Sequence, residues 1–217
     1  NERVYCHPNP VIRCIEIIRV NKVIRLLIPI FRRQKILAAG CGEGHIERLL
    51  PDCHLYLVDL SPTAIRLAKH TLASRKRTRF FLANLEHLPF TSSFFDQIEC
   101  SETIEHVLNP HLMLREFSRV LKLNGYLILS FPNETLINTI KQLLLKIHLF
   151  RLFFPNVPAN MIEEWHLRSM NTNLLKKYLG PGWKIVTVTA SPHPLFPIRF
   201  IIKLQKVAAH PHLLISS

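Results

Sequence analysis

Between residues 35 and 131 five short strand-like runs, at 35–39, 55–58, 79–83, 95–100 and 126–131, most of them apolar, alternate with stretches of helical periodicity. Continuous apolar runs suit strands buried on both faces, whereas a helix at the protein surface needs only one apolar stripe. Parallel neighbours must be joined by crossovers that lie over the sheet, so this alternation dictates an open, mostly parallel sheet with helices on both faces. Sheets of this kind bind ligands beyond the carboxyl ends of their strands.

The helices announce themselves by caps and periods. Residues 10–30 set Ile12, Ile15, Ile18, Val23, Leu26 and Leu27 among basic positions and predict one or two amphipathic helices; 43–50 predicts another. Ser61-Pro62 caps and opens a helix whose Ile65, Ala68 and Leu72 share a face. Asn109-Pro110 does the same for Leu114, Phe117 and Leu121, with Asn124-Gly125 as the stop. After residue 131 the alternation ends. The spacing predicts a basic-apolar helix over 135–154 stopped by Pro155 and Pro158, then a helix over 171–179. Two strands at 184–189 and 198–204 are expected to form an antiparallel hairpin around a proline-rich loop at 192–197. The length of 217 residues suits one domain over 1–206. Its parts are an N-terminal helical segment (1–34), a core (35–131), a lid insertion (132–170) and a C-terminal helix with strands (171–206), with 207–217 as a peripheral tail.

Composition narrows the partners. Lys and Arg number 28 against 15 Asp and Glu, a formal charge of +13 that favours contact with something anionic. Although 48% of residues are hydrophobic, every apolar run is broken by Lys, Arg or His before reaching membrane-spanning length. The five cysteines form no CxxC pair, which argues against a zinc site or disulfide framework and for a reducing cytoplasm. No small-residue cleavage site follows an apolar core near the N-terminus, so no signal peptide is expected.

The candidate site begins at Gly40-Cys41-Gly42-Glu43-Gly44, directly after the first strand. Glycines there permit a tight turn and close approach of a ligand. The loop is neither a G-x-G-x-x-G dinucleotide fingerprint, since position 45 is His, nor a Walker loop, since Gly-Lys-Ser/Thr is absent. Asp59 ends the second strand, where its carboxylate can accept both hydroxyls of a ribose.

With these residues stand 83–90 (Ala-Asn-Leu-Glu-His-Leu-Pro-Phe), Phe95-Asp96, 101–107 (Ser-Glu-Thr-Ile-Glu-His-Val) and 125–133 (Gly-Tyr-Leu-Ile-Leu-Ser-Phe-Pro-Asn). In their order and spacing they resemble the class I S-adenosylmethionine-dependent methyltransferases of the broad small-molecule type that includes the ubiquinone and menaquinone pathway enzymes. The resemblance runs over about 35–206. It implies a Rossmann-like, doubly wound α/β fold with a seven-strand sheet whose last strand is antiparallel, plus N-terminal helices and a helical lid. It implies S-adenosylmethionine as cofactor and S-adenosylhomocysteine as product. Gly40, Cys41, Gly42 and Gly44 would lie against the methionine part, Asp59 on the ribose, Leu60 beside the adenine, and Asn84 and Leu85 at the adenine edge. Ser101 and Glu102 would line the floor near the methionyl group, with His106 on the substrate side. His166 falls where the family carries a His-Leu/Val-Arg segment. Two positions depart from the pattern: Ala38 stands where an acidic residue usually precedes the first glycine, and Asn84 where Asp usually meets the adenine amine.

Methyl transfer needs chiefly a nucleophile held in line with the methyl group, and a base only for some acceptors. His106 or His166 could take a proton from a hydroxyl, which makes oxygen the preferred target on a small or lipid-like acceptor. The run 143–154 mixes apolar residues with Lys146, His148 and Arg151, and fits a lid packed on the core or an interfacial helix at an anionic membrane. With the cytoplasm expected from the cysteines, the second reading adds peripheral contact at the inner membrane surface. The charge motivates tRNA or protein as an alternative acceptor, and Ala38 a non-catalytic cofactor-binding module; no metal site is expected.

Overall fold

The computed structural model describes residues 9–148 and 169–208. In chain order they form α1 (Pro10–Leu27), β1 (Lys35–Ala39), α2 (His45–Arg48), β2 (His54–Asp59), α3 (Pro62–Thr71), β3 (Thr78–Leu82), β4 (Phe95–Ser101) and a 3-10 turn (Ile104–His106). There follow α4 (Pro110–Val120), β5 (Leu121–Pro132), α5 (Glu134–Lys146), α6 (Thr172–Tyr178), β6 (Trp183–His193) and β7 (Phe196–Lys206). Most helices start where a short polar side chain takes over an orphan amide. Asn9, Ser61, Asn109, Asn133 and Asn171 each accept a backbone N–H from the first turn of the helix they precede.

The seven strands run in the order β3-β2-β1-β4-β5-β7-β6. Neighbours among β3, β2, β1, β4 and β5 pair in parallel; β7 pairs antiparallel with both β5 and β6. This is the doubly wound α/β sheet expected from the sequence. One face buries Ile36, Ala38, Leu57 and Ile128 under Val20, Val23 and Leu27 of α1 and Ala68 of α3. The other packs Leu37, Val58, Ile98 and Leu129 against Met113, Leu114 and Phe117 of α4 and Leu175 of α6. Register partners on parallel strands point to the same face, so Ile36 and Ala38 of β1 share theirs with Gln97 and Glu99 of β4.

Residues 10–30 give one helix, within the one or two expected, ended at Leu27 before Pro29. Four expectations need correction. The helix expected over 43–50 shrinks to His45–Arg48, because Gly44 holds φ +77 and the chain turns again at Leu49. Asn124-Gly125 does not close a helix. α4 stops at Val120, β5 starts at Leu121, and Asn124 with φ 63 sits at an irregularity in the β4–β5 pairing. The hairpin extends into the proline-rich segment, with Pro192 opposite Pro197 and His193 opposite Phe196. Prolines fit there because the strands are leaving the sheet and need fewer ladder donors. The helix expected over 135–154 ends at Lys146, followed by His148 at φ 57; residues 149–154 lie outside the described part.

Candidate functional site

A cavity of about 700 Å³ opens beyond the carboxyl ends of β1 to β4, and α1 and β7 complete its wall. Its first side is the glycine loop. Gly40 and Cys41 both donate their N–H to the Val58 carbonyl, at 2.8 and 3.1 Å, which folds the loop back over β2. Gly40 holds φ +71, and a Cβ there would collide with the Thr103 side chain, so both backbone angle and space demand glycine.

Asp59 ties this loop to the next crossover. Its Oδ2 accepts the Gly42 N–H at 2.9 Å, and its Oδ1 accepts the Ser61 N–H at 2.8 Å. Each carboxylate oxygen keeps acceptor capacity beyond these bonds. Beyond β3, Asn84 accepts the Glu86 N–H at 2.9 Å through Oδ1, while Leu85 is buried in the core below.

β4 delivers the floor. The Ser101 hydroxyl donates to Glu99, and the Thr103 hydroxyl donates to the Ser101 carbonyl at 2.9 Å. Glu102, with φ 49, takes a hydrogen bond from the Ser130 hydroxyl at 3.1 Å and an ion pair from Arg199 at 2.6 Å. Arg199 also reaches Glu16 of α1 at 3.4 Å, and Glu16 pairs with Arg19 at 2.8 Å.

The structure gathers Gly40, Cys41, Gly42, Asp59, Leu60, Asn84, Leu85, Ser101, Glu102 and His106 around this one cavity. Gly44 is not part of the lining: a Cβ there would meet Leu72 and Ala68, which makes it a packing glycine at the foot of α2. His106 lines the cavity from the exposed side of the 3-10 turn. His166 lies outside the described residues, as do Arg151 and the rest of 149–168.

Sequence reasoning missed Glu16, Arg19, Glu47, Glu99, Glu105 and Arg199, which also line the cavity. The available signal was Glu99, a carboxylate inside the strand expected over 95–100. Burial pushes the Glu47 and Glu99 carboxyls above the usual range, and at Glu47 the Glu99 charge adds to it. Glu105 is pushed up to about 8, by burial first and the Glu102 charge second. Burial, helped by Glu47 and Asp59, also keeps the Cys41 thiol protonated, so Cys41 offers no thiolate nucleophile. In a chain of net +13, eight carboxylates (Glu16, Glu43, Glu47, Asp59, Glu86, Glu99, Glu102, Glu105) face two arginines around the cavity.

Residues 37–129 match the family model described as a methyltransferase domain. The ubiquinone biosynthesis O-methyltransferase of Xanthomonas oryzae is 30% identical over 105 residues, 46% of this chain and 44% of that protein. A probable S-adenosylmethionine-dependent methyltransferase of Mycobacterium tuberculosis is 32% identical over 114 residues, 52% of this chain and 40% of that protein. The chain thus spans less than half the length of these curated relatives. Among solved structures, the N-methyltransferase NodS from Bradyrhizobium japonicum, in complex with S-adenosyl-L-homocysteine, superposes with a TM-score of 0.66. That similarity has 15% identity, covers 92% of this chain and 89% of that one, and is one of fold.

Proposed function

We propose, on the premise that residues 37–129 form a class I methyltransferase domain, that this chain transfers a methyl group from S-adenosylmethionine to an oxygen of a small-molecule or lipid-like acceptor. The observation that carries the reading is the convergence of the glycine loop, Asp59 and Asn84-Leu85 on one cavity at the strand ends. The residues fit the cofactor chemically. Gly40 leaves the loop open to close approach, Asp59 offers acceptors to hydroxyls, and a carboxylate-rich lining suits a sulfonium cation. When bound, the cofactor supplies an electrophilic methyl group; the chain's part is to hold the acceptor in line and remove its proton.

Glu105 and His106 support oxygen as the target, because a hydroxyl acceptor needs a base and both line the cavity. A carboxyl that titrates near 8 is a stronger base than an ordinary one. The carboxylate lining speaks against the phosphate backbone of tRNA at this cavity.

The test combines calorimetry with radiolabelled methyl transfer to a panel of small phenols. Wild type is expected to bind S-adenosylhomocysteine; no binding at millimolar ligand removes the enzyme reading. His106→Ala is expected to slow transfer about tenfold to a hundredfold while cofactor affinity holds; wild-type turnover retires His106 as base. If Glu105 is the base, the rate climbs with pH and levels off above about 8, since only the ionised carboxylate accepts a proton; Glu105→Gln flattens that climb.

The lipid-like acceptor rests on α5. None of its residues is fully buried, and Leu143 is exposed beside Lys146. No helix among the described residues is long and apolar enough to cross a membrane, so any contact through α5 is interfacial. Flotation with anionic vesicles at low salt is expected to carry the protein upward, and Lys141→Glu with Lys146→Glu to abolish this. A wild-type protein that stays at the bottom ends the membrane reading.

A further inference from the structure

The face of β1 toward α1 has no carboxylate next to the glycine loop, since Ala38 occupies that position. Its register partner on β4 is Glu99, which points to the same face. Glu99 and Glu47 of α2 are each only 2% exposed, and both line the cavity. A side-chain hydrogen bond joins them, because two carboxylates at one buried site cannot both ionise without a cation and so share a proton. Glu47 Oε2 has no hydrogen-bond partner among the described residues. A buried acceptor left in that state costs about 1–3 kcal/mol, a cost that a bound donor removes.

The charges of Arg19 and Arg75 reach Glu99 and Glu47 through space, but the hydrogen bonds of the groups around the pair do not neutralise it. Ser101 donates its hydroxyl to Glu99 from the same strand. Arg19 of α1 pairs with Glu16 at 2.8 Å, and Arg75, after α3, donates to the Leu50 and Pro51 carbonyls at 2.6 and 2.7 Å. Cys41 of the glycine loop is a neutral thiol, and Asp59 is held by two backbone amides. The pair is therefore a pocket of acceptors that calls for a cation from outside the chain.

We propose that Glu47 and Glu99 together seat the positively charged ammonium of the cofactor's methionyl end, with Glu99 on β4 supplying the carboxylate that β1 lacks at Ala38. The inference rests on the cofactor reading above. It carries a proton linkage. Without ligand the pair holds a proton that ordinary carboxyls would have lost; the ammonium stabilises both carboxylates ionised, and the proton leaves to solvent. Affinity for an ammonium-bearing ligand then rises with pH, up to tenfold per unit while the pair is protonated.

Two probes separate this site from the rest of the cavity: S-adenosylhomocysteine, and 5′-methylthioadenosine, which lacks the amino acid end. Titration calorimetry of wild type between pH 6 and 8, in buffers of different ionisation enthalpy, is expected to show net proton release and a pH-dependent affinity for the first probe only. Glu99→Gln should bind S-adenosylhomocysteine at least about tenfold more weakly, lose the pH slope, leave 5′-methylthioadenosine binding unchanged, and melt no lower than wild type. Glu47→Gln should move in the same direction.

Three results overturn the proposal: both variants keeping wild-type affinity and slope, both probes weakening alike in Glu99→Gln, or wild type binding the two probes equally at all pH values. A wild type that binds neither probe removes the cofactor reading itself, and the ammonium seat with it.

Discussion

Asp59→Ala is expected to weaken S-adenosylhomocysteine binding by about a hundredfold or more, measured by calorimetry. Hydrogen bonds to an ionised group contribute about 1.5–3 kcal/mol each, and each 1.4 kcal/mol is tenfold in affinity, so losing two acceptors for ribose hydroxyls reaches that scale. The same carboxylate also holds the Gly42 and Ser61 amides. The loss therefore comprises contact with the ligand and order in the glycine loop. Asp59→Asn separates them: it preserves shape and one acceptor oxygen, and is expected to fall between wild type and Asp59→Ala. Both amides can turn to water in the alanine variant, so the melting temperature should drop by only a few degrees. Unchanged affinity in Asp59→Ala would take Asp59 out of the binding site.

The second large effect concerns stability rather than binding. Glu105 titrates near 8 in the folded chain against 4.5 for an ordinary glutamate. Its folded-state value is raised, so the folded chain keeps a proton that the unfolded chain has lost. The associated stability is fully present below about pH 4.5 and disappears as pH rises toward 8. At about 1.4 kcal/mol per pH unit, the loss across that window is on the order of 5 kcal/mol. Glu105→Gln is neutral at every pH and should lack this decline, making it progressively more stable than wild type between pH 5 and 8.5. Urea unfolding at several pH values measures the gap; a gap that stays constant would mean that Glu105 is ionised in the fold from low pH. Glu47 and Glu99 press wild-type stability in the same direction, which is why the comparison is between the two proteins rather than of one against pH.

The sheet was legible because its signals are local. A run such as Lys35–Ala39 followed by glycines, or Ser61-Pro62 ahead of Ile65, Ala68 and Leu72, declares its own structure. Asp59 and Asn84 were legible for a related reason, since each lies at a strand end that the alternation itself locates. What failed depended on conformations that periodicity does not encode. The helical pattern runs on past Lys146, yet the chain turns at His148, and a proline-rich stretch became paired strand with Pro192 and Pro197 opposite one another.

Within the site, the missed residues converge only in space. Glu16 and Arg19 read as the polar component of an amphipathic helix, yet both are buried, and Arg199 reaches Glu16 and Glu102 from the far end of the chain. The relation between Ala38 and Glu99 is a matter of register across two strands sixty-one positions apart in sequence. No linear motif contains it.

The order β5-β7-β6 constrains how the molecule is completed during synthesis. Until the hairpin emerges, β5 presents one edge of unpaired amides and carbonyls, a template for another chain. β6 leaves the ribosome first but, among the described residues, pairs with β7 alone, so it joins the sheet once β7 has emerged. A nascent chain stalled before β7 would therefore carry a finished glycine loop and Asp59 on a sheet that is still open and prone to aggregate. Arg199 reaches Glu16 and Glu102 only when that strand arrives, so the cavity wall closes in the same event that seals the sheet.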